Sequence, residues 1–132
     1  MASKDKNFGM KLSHLLAAVI ASNTTTAGAV VDMNGDNDFE ALEVALAIGA
    51  HTDGSYSILL EESDDNISFN AVAAESILGD NTALDAANSV SHVGYVGKKR
   101  YVRASVVSTD VTTGANATLL AMQDCPRSAP LN

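Results

Sequence analysis

Tyr56 to Val72, YSILLEESDDNISFNAV, is the stretch that decides the fold class of this chain. Tyr56, Ile58 and Leu60 alternate with Ser57 and Leu59. Glu61 to Asn66 then interrupt, and Ile67, Phe69 and Ala71 alternate with Ser68 and Asn70. Successive strand residues point to opposite faces, so a period of two on both sides of an Asp-Asp-Asn turn predicts a β-hairpin with one buried face.

The same period continues upstream. In Phe39 to Ile48, Leu42, Val44, Leu46 and Ile48 point one way, and Glu43, Ala45 and Ala47 the other. That second face is flat and weakly polar, which points to cover by another chain or by a loop. Asn34-Gly35 and Thr52-Asp53-Gly54 are turns, since these residues tolerate positive φ. Ala29 to Met33 reads as a short strand. Lys11 to Ile20 is ambiguous: Leu12, Leu15, Leu16, Val19 and Ile20 fit helical spacing, while Leu16, Ala18 and Ile20 would share a strand face. The sheet-like remainder of the chain favours a strand.

Downstream, Ala73 to Asn88 reads as a loop with a helical turn near Thr82 to Ala87. Val90 to Val96 is a strand containing Gly94. Arg100 to Ser108 places Val102, Ala104 and Val106 on one face, and Ala117 to Met122 is the last strand. About eight short strands, with turns every eight to twelve residues, predict an all-β, jelly-roll-like β-sandwich. The expected division is an N-terminal arm at 1–10, the sandwich at 11–124 and a proline-containing tail at 125–132, with both termini extended.

With 132 residues the chain is long enough for one domain with its own core. The single Cys125 has no intramolecular partner. Asp and Glu outnumber Lys and Arg 16 to 8, giving a net charge of −8. That excludes the basic footprint needed for nucleic acid and disfavours an anionic membrane surface. Leu12 to Ala21 is apolar but about half the ~20 residues a membrane helix needs. Lys4, Lys6 and Lys11 precede this run, and Ala-Ser-Asn after Ile20 is a poor cleavage site, so cytoplasmic synthesis is expected over secretion.

Chemistry-bearing groupings are sparse. Asp32, Asn34, Asp36, Asp38 and Glu43 match part of a calcium-loop spacing, but Asn37 stands where the loop requires glycine and the flanks read as strands. Glu61, Glu62, Asp64 and Asp65 sit in one turn, where carboxylates cannot face each other across a cleft as glycoside hydrolysis requires. His14, His51 and His92 are isolated, and no nucleophile elbow or phosphate loop occurs. The reading is therefore a non-enzyme without catalytic residues, metal or cofactor. Lys98, Lys99, Arg100 and Arg103 reverse the local charge. They suit either a turn offsetting acidic residues of a paired strand or a docking patch for an acidic protein surface.

Thr52 to Asp80 and Val93 to Pro130 carry an acidic "TDG…LEESDD" hairpin, then "GYVGKKRYVR", then a terminal strand with a "P…AP" tail. This pattern resembles small structural proteins of tailed bacteriophages encoded beside the major capsid protein, over about two-thirds of the chain. The resemblance implies a capsid cement, or decoration, protein. Such a protein would be made in the host cytoplasm and bind the outside of the expanded head. There it would bridge major capsid protein subunits, often as a dimer or trimer. It implies contacts through the arm (Lys4, Lys6, Phe8), the basic turn (Lys98, Lys99, Arg100, Arg103) and the tail (Pro126, Arg127, Pro130). Pairing of free sheet edges with a neighbouring or twin subunit is a further expectation. "KKRYVR" is also similar to a strand of discoidin-like jelly rolls that bind sugars. A carbohydrate- or receptor-binding module, with Tyr56, Tyr95 and Tyr101 as its aromatic residues, is the alternative. A head–tail connector is disfavoured because no long ring-closing loop or helix is evident.

Overall fold

A computed structural model describes residues 11–33, 39–79 and 81–126. Nine strands occur among them: β1 (Lys11–Ile20), β2 (Thr25–Asp32), β3 (Phe39–His51), β4 (Ser55–Ser63), β5 (Asn70–Ala71), β6 (Ile77–Leu78), β7 (Ser89–Tyr95), β8 (Tyr101–Thr109) and β9 (Ala115–Pro126). They form two sheets, ordered β1-β9-β3-β7-β6 and β2-β8-β4-β5, and every pairing is antiparallel. The chain crosses between sheets at nearly every step, which is the winding of a jelly roll. The expected all-β sandwich is the observed fold.

The alternating residues fill the space between the sheets. Leu42, Val44, Leu46 and Ile48 from β3 meet Ala117, Leu119 and Ala121 from β9, while Val102, Ala104 and Val106 from β8 lie beside Ile58 and Leu60 from β4. Leu46 and Leu119 are opposite each other in register and both fully buried. The run at Lys11 is a strand, with its alternation broken by a bulge between His14 and Leu16. The bulge explains its helix-like spacing: the extra residue turns both Leu15 and Leu16 towards the core.

Four expectations are corrected. The second arm of the hairpin is only Asn70–Ala71, paired with Glu62 and Glu61, and Ile67 is exposed. Here the acidic turn organises itself. Asp65 Oδ1 accepts the Ser63 hydroxyl and the N–H groups of Ile67 and Ser68, and Asn66 takes a positive φ of 61°. Those N–H groups, Ser68 before Ile67, and then the Ser63 hydroxyl hold the Asp65 carboxyl below its usual range. Second, the helical turn is a 3-10 turn at Ala74–Ser76 rather than at Thr82 to Ala87. Third, the second expected strand, Ala29 to Met33, begins earlier, at Thr25. Fourth, β9 runs through Cys125 and Pro126, two residues beyond the expected boundary at 124. Lys4, Lys6, Phe8, Arg127 and Pro130, together with Asn34, Asp36 and Asp38 of the calcium-like spacing, lie outside the described residues.

The free edges are managed in two ways. Along β4, Tyr56 exchanges backbone hydrogen bonds with Leu84, and Ile58 gives its N–H to Asn81 Oδ1 while its carbonyl accepts from Asn81 Nδ2 at 2.6 Å. The Leu60 carbonyl accepts from Val72 N–H. The loop before β7 thus stands in for a missing strand, with one asparagine amide replacing a peptide unit. On the opposite side, edge strands β1 and β2 each contain a bulge. A bulge twists an edge and discourages edge-to-edge pairing. Together these features cover the β4 edge and twist the β1 and β2 edges within the single chain.

Candidate interaction surfaces

The two outer faces of the sandwich differ in chemistry. The face of β2-β8-β4-β5 is ionic. Arg103 gives Nε and Nη2 to Glu61 Oε1, directly opposite it on β4. Arg100 makes a two-pronged contact to Asp32 at 2.8 and 2.9 Å, and Lys99 Nζ lies 2.7 Å from Asp64. Hydrogen bonding to these carboxylates holds Lys99 and Arg100 above their ordinary pKa values. Three of the four cations expected to form a docking patch are therefore engaged within the chain, and Lys98 is exposed beside them. Exposed pairs of this kind contribute little stability, but they favour one strand register.

The acidic turn is occupied in the same way. Glu61 holds Arg103, Glu62 accepts the Tyr95 hydroxyl at 2.7 Å, Asp64 holds Lys99, and Asp65 caps its own turn. Glu62, Ser63, Asp64, Asp65, Ser68, Asn70 and Lys99 line a shallow cleft. Among the described residues no group of three or more potential metal ligands comes together.

Tyr95 is buried, donating to Glu62 while accepting the Lys99 N–H at 3.1 Å. Burial first, then the Glu62 hydrogen bond, pushes its phenol up to about 12. A raised folded value means that the unfolded chain loses this proton first. Stability is therefore expected to fall as pH rises from about 10 towards 12, and Tyr95→Phe should remove this part of the alkaline slope in denaturation curves. An unchanged slope in the variant would refute the assignment.

The tyrosines do not form a platform. Tyr56 and Tyr95 are buried, and the Arg100 guanidinium lies over the Tyr101 ring at 5.0 Å. Arg103 covers Phe69 at 4.4 Å. His51 is held by the Gly54 carbonyl and contacts the edge of Tyr56.

The outer face of β1-β9-β3-β7-β6 mixes exposed apolar side chains with a few polar ones. Its register brings Leu12, His14, Ala17 and Val19 of β1 beside Met122, Leu120, Thr118 and Asn116 of β9. These neighbour Ala41, Glu43, Ala45 and Ala47 of β3, then Val90 and His92 of β7, with Leu78 of β6 at the far side. Eight large apolar side chains are exposed among the described residues, and five belong here: Leu12, Val19, Leu78, Val90 and Leu120. Val19 is 72% exposed and Leu120, near the middle, 40%. The one ion-paired carboxylate among the described side chains of this face is Glu43, whose Oε2 lies 2.6 Å from His92 Nδ1. With strands about 4.8 Å apart and ~3.3 Å per residue, the face covers roughly 500–600 Å². The polar positions His14, Glu43, His92, Asn116 and Thr118 share that area, so its apolar part falls within the ~300–600 Å² of the largest patch on an ordinary monomer and below the ~800 Å² each partner brings to a standard interface. The alanine-rich side of β3 signalled this surface in the sequence; the contributions of β1, β9, β7 and β6 depend on register.

No protein-family model matches the chain, and no curated protein matches it. Two solved structures are similar in shape. One comprises the N-terminal CBM22-1–GH10 modules of endo-1,4-β-D-xylanase 10B from Clostridium thermocellum, complexed with xylohexaose. It is 8% identical with a TM-score of 0.45, covering 93% of this chain and 26% of that one. This chain thus spans about a quarter of the length of the xylanase chain. The other is a Bacillus endospore appendage from a family of disulfide-linked pili, 13% identical with a TM-score of 0.33, covering 93% and 92% of the two chains.

Proposed function

We propose that this protein is a structural component of a tailed-phage virion that works by adhesion. In this reading it lays the outer face of β1-β9-β3-β7-β6 on the exterior of the head and bridges major capsid protein subunits. The observation that carries the adhesive part is the concentration of exposed apolar side chains on that one face of a chain with net charge −8. The sequence resemblance supplies the capsid. A stiff two-sheet body suits the role, and repetition over an icosahedral lattice multiplies modest individual contacts through effective concentration. Residues 1–10 and 127–132 extend the proposed contacts, and self-association as a dimer or trimer belongs to the same reading.

The test is co-sedimentation with expanded, undecorated heads of the phage that encodes the chain. Leu120→Asp and Val90→Asp place a carboxylate on the proposed contact face, and each is expected to weaken binding at least about tenfold while leaving the denaturation midpoint close to wild type. Lys98→Glu, in the loop between β7 and β8 and off the sheet face, should bind like wild type. Equal binding by all three variants, or specific glycan binding without head binding, would overturn the proposal.

A further inference from the structure

The outer edge of β4 is covered by β5 only at Glu61 and Glu62. Nearer the start of β4 it is closed by residues 81–88, which lie between β6 and β7, two strands of the other sheet. This segment therefore leaves one sheet, touches the edge of the other and returns. Asn81 spans Ile58, accepting its N–H at 3.1 Å and donating Nδ2 to its carbonyl at 2.6 Å. Leu84 accepts the Tyr56 N–H at 2.9 Å, donates to the Tyr56 carbonyl at 2.7 Å and lays its side chain against the core. Asn88 gives its N–H to the Gly49 carbonyl at 3.1 Å. Every residue of 81–88 except Leu84 is exposed. The backbone takes a positive φ just before the segment, at Gly79 (91°), and at its last residue, Asn88 (58°).

We propose that residues 81–88 are a releasable strap that lifts from the β4 edge as a unit, with Asn81 as its latch, while both sheets stay paired. Segments with few buried apolar contacts and solvent-accessible hydrogen bonds open well below the free energy of global unfolding. This strap has one half-buried leucine, and water replaces its hydrogen bonds when it lifts. The core beneath does not depend on it. The Tyr56 ring stays buried with its hydroxyl on the Asp53 carbonyl, and Ile58 and Leu60 keep their places opposite Val106 and Ala104 of β8. Asn81 is the latch because one side-chain amide satisfies both backbone groups of Ile58. With the strap lifted, the N–H and carbonyl groups of Tyr56 and Ile58 form an open row of the kind to which an extended strand adds. The strap thus sets when this edge is accessible.

Native-state amide hydrogen exchange, read residue by residue over a series of low urea concentrations, tests this on the wild-type chain. Strand β4 supplies its own control. Ser57 and Leu59 alternate with Tyr56 and Ile58, so their N–H groups turn to β8 instead of the strap. Tyr56, Ile58, Leu84 and Asn88 are expected to share one protection factor, at least about tenfold below that of Ser57 and Leu59 and almost independent of urea. Protection of Ser57 and Leu59 should fall steeply with urea, as global unfolding does. Asn81→Ala deprives Ile58 of its bond outright, so Tyr56 and Leu84 are its readout. Their protection should drop about a further tenfold, with Ser57 and Leu59 unchanged. Asn81→Asp keeps the acceptor and loses the donor, and should fall between the two. If wild-type Tyr56 and Ile58 match Ser57 and Leu59 in protection and urea dependence, the segment opens only with the whole fold and the proposal is overturned, whether or not the variants fold. An Asn81→Ala loss spread equally over Tyr56, Ser57, Leu59 and Leu84 would overturn it too, because Asn81 would then support the whole sandwich.

Discussion

Tyr56→Ala is expected to lower stability by about 4 kcal/mol, within the ~3–5 kcal/mol range for truncating a buried aromatic ring. Tyr56 is fully buried and belongs to three structures at once. Its ring fills the core near the end of the sandwich, against the edge of His51. Its hydroxyl donates to the Asp53 carbonyl at 2.8 Å, closing the turn between β3 and β4. Its backbone exchanges hydrogen bonds with Leu84, anchoring the loop that covers the β4 edge. Alanine keeps the backbone bonds, leaves a cavity and strands the Asp53 carbonyl. In a chain of this size the melting temperature should drop by roughly 10–15 °C. Tyr56→Phe isolates the hydroxyl and should cost about 1 kcal/mol. Urea denaturation of the two variants measures both, and a Tyr56→Ala loss below the Tyr56→Phe loss would contradict this packing.

Gly114→Ala is expected to cost about 3 kcal/mol or more and to reduce the yield of folded protein. Gly114 has φ of +117°, which side chains strongly disfavour, and a Cβ there would collide with the Ile20 carbonyl oxygen. The close approach has a purpose. Gly114 ends the β8–β9 turn beneath Asp53, whose carboxylate collects the N–H groups of Thr112, Thr113 and Gly114, while the Gly114 carbonyl accepts from Thr52. These backbone donors, Thr113 foremost, hold the Asp53 carboxyl below its usual range. That contribution is present above the unfolded value near 3.8 and is lost as pH falls below it. A methyl group pushes the turn off both Ile20 and Asp53. Thermal denaturation of Gly114→Ala beside Gly49→Ala, where a Cβ meets only ordinary contact, separates this strain from the general effect of removing a glycine. Equal losses in the two variants would refute it.

What could be read without coordinates follows from the range of the forces involved. The alternation in β3 and β8 is local and strong, and it gave the core faces of both correctly. The helix-like spacing of β1 is the trace of a bulge, which shifts the period without changing the strand. Ile67 and Phe69 alternate with polar residues as a strand would, yet the Asp65 side chain competes for the backbone there and wins as a turn. The basic run was visible as a charge reversal. Its partners lie 35, 68 and 42 residues away for Lys99, Arg100 and Arg103, so only register reveals that strand carboxylates already hold them. The mixed outer face of the five-stranded sheet was hidden for the same reason. A single alanine-rich strand hinted at it, and four strands from distant parts of the chain complete it.

Electron cryomicroscopy of expanded heads saturated with this protein tests the account most directly, because it reads which side of the sandwich meets the shell. The expected map has β1, β9, β3 and β7 lying against the capsid, with Leu120 and the Glu43–His92 pair covered and the Arg103–Glu61 pair facing solvent. A map with the arginine-bearing sheet against the shell, or bare heads at saturating protein, would contradict it.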